Sequence, residues 1–196
     1  MISYNSSLVI DSLCDQAEGK DIAVVGLYCD FLAQEEQSTA NMLGAMVKQL
    51  ASRGGIPKHT REAFQKAKKE FGGRGPRLLD MIDILKKAIT SLPRMFICID
   101  GLDECTPKHR RDLMESLQEI VRVSPGARVF LTGRPYITDE IVGYFDEALQ
   151  IPLSPTRGDV KSYLDMRLDG DPIPNAMDDE LQADIIRVVL EIVSEM

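Results

Sequence analysis

The fold is decided by one stretch, Met95-Phe96-Ile97-Cys98-Ile99-Asp100-Gly101-Leu102-Asp103-Glu104. A run of apolar residues such as the one that opens it is typical of a strand buried on both faces of a parallel sheet. The acidic residues begin where the apolar run ends, so Asp100 is predicted to lie at the carboxyl end of the strand. Ligands of open parallel sheets bind at that end. The stretch therefore predicts a buried strand and a site at its tip.

Similar apolar runs alternate with helical patterns along the chain. Apolar residues at helical spacing, such as Met42, Met46 and Leu50, separate the runs. This alternation predicts an α/β fold, a parallel sheet with helices on both faces. The predicted strands span residues 21–30, 95–100, 127–132 and 148–153, and the predicted helices span residues 6–14, 38–50, 58–71, 78–92, 107–123, 136–145, 154–168 and 178–196. Residues 72–76 are predicted to form a loop and residues 169–175 a linker.

Composition excludes several classes of protein. The formal net charge of −8, from 31 acidic and 23 basic residues, argues against a broad nucleic-acid-binding surface. The apolar runs are too short to cross a bilayer, and the first residues do not resemble a secretory signal. The four cysteines have no metal-ligand spacing and fit a reducing compartment. We therefore expect a cytoplasmic protein with no membrane segment.

The acids after the predicted strand suit phosphate chemistry. Asp100 can hold Mg²⁺, commonly through water, and Gly101 leaves room for phosphates or for a neighbouring segment of the chain. Asp103 and Glu104 can then orient or deprotonate a water molecule that attacks a γ-phosphate, which makes them candidate catalytic residues. The alternative is that these acids form only a solvated turn and helix start, which the helix dipole favours.

A second polar turn follows the next predicted strand, at Thr132-Gly133-Arg134-Pro135. An arginine in such a turn can contact a γ-phosphate through charge-assisted hydrogen bonds. Pro135 restricts the backbone next to it and can start the following helix. Arg134 in isolation is equally well explained as a surface residue. One predicted strand ends in Asp100 and the next is followed by a turn that contains Arg134, and this combination favours a nucleotide site.

These two turns resemble motifs of the NACHT-type signalling ATPases. The segment from Asp100 to Glu104 is similar to their Walker B motif, and the segment from Thr132 to Pro135 is similar to their sensor 1 turn. Tyr28-Cys29-Asp30-Phe31 and the helical pattern after it resemble the nephrocystin-3-like N-terminal family, which is abundant in fungal proteins. The resemblance covers nearly the whole chain. It implies ATP and Mg²⁺ as cofactors, with Asp100 binding the metal and with Thr132 and Arg134 contacting the nucleotide.

The chain departs from these families at the phosphate-binding loop. They bind the triphosphate through a Walker A loop, G-x-x-x-x-G-K-[ST], and no such motif occurs in the 196 residues. Gly19-Lys20 precedes a strand and has no earlier glycine at the required distance. The resemblance begins at the helix that normally follows the loop. We therefore expect a P-loop NTPase-like sheet that lacks the Walker A strand and leaves an unpaired apolar edge beside the strand before Arg134. We also expect the chain to fold marginally and to bind ATP weakly or not at all.

The resemblance also implies a domain division and a function. Residues 1–153 correspond to the ATPase core and residues 154–196 to the start of a helical extension. The implied function is part of a nucleotide-dependent switch of the STAND type, with other protein domains or chains as partners in signalling or oligomerisation.

Two alternatives stay open. One is a non-catalytic interaction module, or a truncated gene-model fragment. The other is a Mg²⁺-dependent phosphatase or nuclease using Asp100 and Asp103, although Leu102 stands where such phosphatases place a second acid.

Overall fold

The computed structural model describes residues 2–52, 62, 78–90, 92–169 and 178–194. Its helices are α1 Ile2–Ala17, α2 Thr39–Ser52, α3 Leu78–Thr90, α4 Pro107–Val123, α5 Thr138–Tyr144, α6 Arg157–Asp169 and α7 Asp179–Ser194, and its strands are β1 Ile22–Tyr28, β2 Arg94–Asp100 and β3 Ala127–Leu131. A single 3₁₀ turn follows each strand, at Phe31–Ala33, Leu102–Glu104 and Pro135–Ile137. Apart from residues 62 and 169, the predicted helix at 58–71, the loop at 72–76 and the linker at 169–175 lie outside the described residues.

The three strands form one parallel sheet in the order β1-β2-β3. The register pairs Tyr28 with Asp100 and Ile99 with Leu131, so the carboxyl ends of the strands meet at one edge. Each connection between neighbouring strands contains at least one helix, as parallel pairing requires. The predicted α/β fold with a parallel sheet is confirmed.

Both faces of the sheet are covered by helices. Val25, Ile97 and Ile99 are fully buried on the face that packs against α2, α3 and α4. Val24 and Cys98 point to the opposite face, where they pack with apolar residues of α1. The side chains of a strand alternate between faces, so a continuous apolar run is needed to fill both. This requirement explains why the apolar runs in the sequence located β1 and β2 correctly.

The predicted strand at residues 148–153 is wrong. These residues have no regular secondary structure, and the apolar side chains of Leu149, Ile151 and Leu153 are 86%, 69% and 62% exposed. The alternation of apolar residues suits a strand, but a strand exists only where a neighbour pairs with its backbone. Pro152 also lacks the N–H group that a sheet ladder uses. The apolar pattern alone could not supply the missing partner.

Strand β3 is the outer strand of the sheet and pairs with β2 on one side only, within the part of the chain that the structure describes. An open groove of about 460 Å³ lies where α1 faces β2 and β3, lined by Val9, Leu13, Arg94, Phe96, Arg128, Val129 and Phe130. The edge of the strand that precedes Arg134 is thus unpaired among the described residues, as predicted. The predicted marginal folding stays a prediction.

The chain divides into two compact units, residues 1–148 and residues 149–196. The second unit contains α6 and α7, which pack against each other. Thr156 caps α6: its hydroxyl accepts a hydrogen bond from the Asp159 backbone N–H at 3.1 Å, and its own N–H donates to the Asp159 carboxylate at 2.8 Å. The predicted domain boundary after residue 153 stays a prediction. Among the described helices, none is long and apolar enough to cross a membrane.

Candidate functional site

Asp100 is the buried centre of the site. It ends β2 and is only 3% exposed. Its Oδ1 atom accepts a hydrogen bond from the Thr132 hydroxyl at 2.6 Å and another from the Ser6 hydroxyl at 2.5 Å. A buried carboxylate is costly unless such donors stabilise it. The two hydroxyls therefore hold Asp100 in a defined position at the tip of the central strand.

Thr132 connects the ends of β2 and β3. Its hydroxyl oxygen accepts a hydrogen bond from the Gly101 N–H at 3.0 Å while it donates to Asp100. Its backbone N–H donates to Ile99 O, and its carbonyl accepts from the Leu102 N–H, both at 2.9 Å. Four hydrogen bonds thus join this one residue to β2 and to the turn after it. The predicted site residues Asp100 and Thr132 are in direct contact.

Gly101 allows the sharp turn that follows Asp100. It has φ of +67°, in the left-handed region that favours glycine. A Cβ atom at this position would lie 3.4 Å from the Cys29 carbonyl oxygen. Of the two explanations for this glycine, space for phosphates or for a neighbouring segment, the structure supplies the second. The residue lets the chain after β2 pass close to the chain after β1.

Asp103 and Arg134 are brought together by the turns after β2 and β3. The Asp103 carboxylate lies 3.3 Å from Arg134 Nε and accepts a hydrogen bond from the Arg134 backbone N–H at 3.2 Å. The Asp103 side chain is 8% exposed, whereas that of Arg134 is 69% exposed. Asp103 is thus the fixed partner, and the guanidinium extends from it into solvent. An exposed guanidinium of this kind is available to an anionic ligand.

Glu104 faces the segment after β1. Its Oε2 atom accepts a hydrogen bond from the Phe31 backbone N–H at 3.0 Å, and its carbonyl accepts one from the Gln34 side chain at 2.5 Å. Asp30, at the same edge of the sheet, caps the short turn by accepting a hydrogen bond from the Leu32 N–H at 2.9 Å. The acids after β2 therefore also organise the neighbouring loops. Whether Asp103 and Glu104 act on water stays a prediction.

The donor set suits a magnesium ion that is shared with phosphates. No cluster of three or more His, Cys, Asp or Glu side chains that could hold a metal occurs among the described residues. Mg²⁺ is usually held by one or two carboxylates, several waters and substrate phosphates, rather than by a protein cage. Asp100 can supply one such carboxylate. With Asp30, Asp103 and Glu104 nearby, a cation would also reduce repulsion of an anionic ligand.

Arg110 stabilises the segment that follows the turn after β2. It is mostly buried in α4, and its guanidinium contacts the Glu140 carboxylate at 2.8 Å and donates to the Cys105 carbonyl at 3.3 Å. Glu140 belongs to α5, which follows the Arg134 turn. Arg110 thus links the segments on either side of the site through a charge-assisted pair.

Sequence reasoning located most of these residues but missed two kinds of contact. The sequence predicts Ser6 only as part of a helix, whereas in the structure it is 1% exposed and donates to Asp100. A serine in the helix that covers the sheet was the available signal. The contact of Cys29 with Cys105 has no signal in the sequence, because the two residues are far apart along the chain.

Comparison with known proteins gives one family. A family model described as nephrocystin 3, N-terminal, matches residues 3–134, which is more than half of the chain. The matched segment contains all three strands and ends at Arg134. Searches of curated proteins and of solved structures each returned no significant match. The chain therefore belongs to the nephrocystin 3 N-terminal family.

Proposed function

We propose that this chain is part of the nucleotide-binding switch domain of a NACHT-type signalling NTPase, and that by itself it binds ATP weakly. One observation carries the proposal: Asp100 at the tip of β2 is hydrogen-bonded to Thr132 at the tip of β3, with Arg134 two residues further on. This arrangement is what a Walker B aspartate beside a sensor arginine requires. Weak binding follows because the 196 residues contain no Walker A motif to surround the phosphates.

The contacts suggest a role for each side chain. Asp100 would hold Mg²⁺, with Thr132 keeping its carboxylate in place. Arg134 would contact the γ-phosphate, and Asp103 would hold the arginine when no nucleotide is bound. The phosphate and Asp103 then compete for one guanidinium, which gives the turn after β3 two positions that depend on the ligand. Glu104 would couple the site to the loop after β1, because its carboxylate accepts a hydrogen bond from the Phe31 backbone N–H.

Equilibrium titration of a fluorescent ATP analogue with Mg²⁺ tests this proposal, after circular dichroism has verified folding. We expect wild-type binding in roughly the upper micromolar to millimolar range. Arg134→Ala should weaken it by about ten- to a hundredfold, because a charge-assisted hydrogen bond contributes about 1.5–3 kcal/mol and each 1.4 kcal/mol is about a factor of ten in affinity. Arg128→Ala is the matched control: Arg128 is also exposed and lies on β3, but it hydrogen-bonds to carbonyl groups of Pro125 and Ala127 instead of lying at the site. It should bind like the wild type.

Chelation of Mg²⁺ should also abolish binding, because Asp100 and its acidic neighbours would then repel the triphosphate. Equal affinities for wild type and Arg134→Ala would contradict the assigned role of the arginine. A folded chain that binds no analogue at millimolar concentration would overturn the nucleotide proposal.

One observation favours the alternative of a non-catalytic interaction module. The outer edge of β3 has no strand partner within the described residues, and Phe96 and Phe130 line the open groove beside it. An unpaired strand beside an apolar groove is a common place for another chain to add a strand. A folded chain without nucleotide affinity would leave this alternative as the better account.

A further inference from the structure

Two buried thiols meet beside the candidate site. Cys29 directly follows β1, and Cys105 directly follows the 3₁₀ turn after β2. Their sulfur atoms are 3.0 Å apart, and the residues are only 9% and 3% exposed. Both are free thiols, as is Cys98. The contact is therefore one between two reduced cysteines from neighbouring strand ends.

The backbone around each thiol keeps the pair in place. The Cys29 N–H donates to the Asp100 carbonyl at 2.9 Å, and the Cys105 carbonyl accepts from the Arg110 guanidinium at 3.3 Å. A disulfide has a sulfur–sulfur distance of about 2.05 Å, so bond formation needs the sulfurs to approach by about 1 Å. Rotation of the side chains and small shifts of the loop after β1 can provide that movement.

The surroundings make the two thiols chemically unequal. The hydrogen bond with Cys105 and burial raise the pKa of Cys29 far above its ordinary value. The same hydrogen bond lowers the pKa of Cys105, and the positive charge of Arg110 acts in the same direction, whereas burial and the negative charges of Asp103 and Glu104 raise it. Cys105 lies next to the Arg110 guanidinium, which contacts its carbonyl at 3.3 Å, and a nearby cation favours the thiolate form that reacts with oxidants. Cys29 is placed to supply the second sulfur.

We propose that Cys29 and Cys105 are a redox-sensitive pair that hydrogen peroxide, or another small peroxide, converts to a disulfide. The Cys105 thiolate attacks one peroxide oxygen, the O–O bond breaks, and Cys105 sulfenic acid forms with release of hydroxide. The Cys29 sulfur then attacks the Cys105 sulfur; the S–S bond forms, the S–O bond breaks, and the Cys29 proton leaves with hydroxide as water. The proton that Cys105 lost on forming its thiolate joins the hydroxide released in the first step, so in total two thiols lose two electrons and one hydrogen peroxide becomes two waters.

A peroxide can reach the pair through the loop after β1. Phe31 and Leu32 in that loop are 67% and 91% exposed, so the loop is held mainly by hydrogen bonds, such as the one from the Phe31 N–H to Glu104, and local opening has to break these. The disulfide would tie this loop to the turn that carries Asp103 and Glu104. The inference rests on the thiol geometry and does not depend on nucleotide binding.

Peptide mapping of the peroxide-treated chain tests the inference. The folded protein is treated with hydrogen peroxide, free thiols are blocked with iodoacetamide, and trypsin products are analysed without reduction. Cleavage yields residues 21–48 with Cys29, residues 95–108 with Cys98 and Cys105, and residues 1–20 with Cys14. We expect 21–48 joined to 95–108, and the same product from Cys98→Ala, which identifies Cys105 as the partner. The joined product should reappear as separate peptides after reduction.

Two controls separate the pair from general oxidation. In urea the spacing of the thiols is lost, and the joined product should fall at least severalfold. In Cys29→Ser the sulfenic acid has no partner, so dimedone should label Cys105. The oxidised wild type should melt roughly 5–15 °C above the reduced protein, because the bond closes a loop of about 75 residues. Peptides 1–20 and 95–108 joined instead, or full alkylation of Cys29 and Cys105 after peroxide, would overturn the inference.

Discussion

Replacing Thr132 by valine tests the contact on which the candidate site depends. Valine has nearly the same shape but removes the hydroxyl that donates to Asp100 at 2.6 Å and accepts from the Gly101 N–H at 3.0 Å. A hydrogen bond to a charged group contributes about 1.5–3 kcal/mol, and a neutral one about 1 kcal/mol. The buried carboxylate would keep only Ser6 as a side-chain donor among the contacts described above. We expect Thr132→Val to lower the free energy of unfolding by about 2–4 kcal/mol.

Urea unfolding followed by far-ultraviolet circular dichroism measures this change, because the chain has no tryptophan to serve as a fluorescent probe. With a urea dependence of about 2 kcal/mol per molar, the midpoint should fall by about 1–2 M. Thr90→Val is the matched control. Among the described residues, the Thr90 hydroxyl donates to the Lys87 carbonyl at the exposed end of α3, so this variant should stay within about 0.5 kcal/mol of the wild type.

The two valine variants decide the matter together. If Thr132→Val and Thr90→Val have the same unfolding midpoint, then the Thr132 hydroxyl does not hold Asp100, and the description of the site as a hydrogen-bonded unit is refuted. A lower midpoint with an unchanged urea dependence would locate the loss in the folded state.

Two further predictions concern backbone packing and a buried thiol. Gly126→Ala should lower the free energy of unfolding by about 1–3 kcal/mol, because the new Cβ atom would lie 2.4 Å from the Pro93 carbonyl oxygen. In the control Gly143→Ala, in α5, the new Cβ atom meets nothing within 4 Å, and the free energy of unfolding should rise by about 0.5–1 kcal/mol. Equal unfolding midpoints for the two variants would contradict the packing at Gly126. Burial raises the pKa of the Cys98 thiol from 9.0 to about 11, so the folded chain keeps a proton that the unfolded chain loses above pH 9. The stability of the wild type relative to Cys98→Ala should therefore fall by about 2 kcal/mol as the pH rises from 8 to 11, and a difference that does not change with pH would show that the thiol is not buried as described.

The sequence was sufficient for the elements that are buried on both sides. The apolar runs of β1 and β2 located these strands because only a doubly covered parallel strand requires apolar residues on both of its faces. The carboxyl end of β2 then placed Asp100 at the edge where ligands bind. The positions of Thr132 and Arg134 followed from the same reasoning applied to β3. These inferences depend on local pattern and on general rules of parallel sheets.

The same pattern failed at residues 148–153. The alternation of Leu149, Ile151 and Leu153 is typical of a strand, yet these side chains are exposed and the backbone is irregular. Alternating apolar residues indicate that a segment would suit a half-buried strand. A strand also needs a neighbouring strand to pair with, and the pattern carries no information about that neighbour. Contacts between distant segments, such as Ser6 with Asp100 and Cys29 with Cys105, are likewise absent from any local pattern.

By itself, the sequence determined the α/β class, the strands buried on both faces, and the identity of the acids and the arginine at the strand ends. The tertiary structure alone decided which of these side chains touch: Thr132 with Asp100, and Asp103 with Arg134. The physical reason is that a buried helix face or strand requires apolar residues at regular spacing, and this spacing is visible in the sequence. Hydrogen bonds and thiol contacts depend instead on distances of a few ångströms between residues that only the packed sheet and its turns bring together.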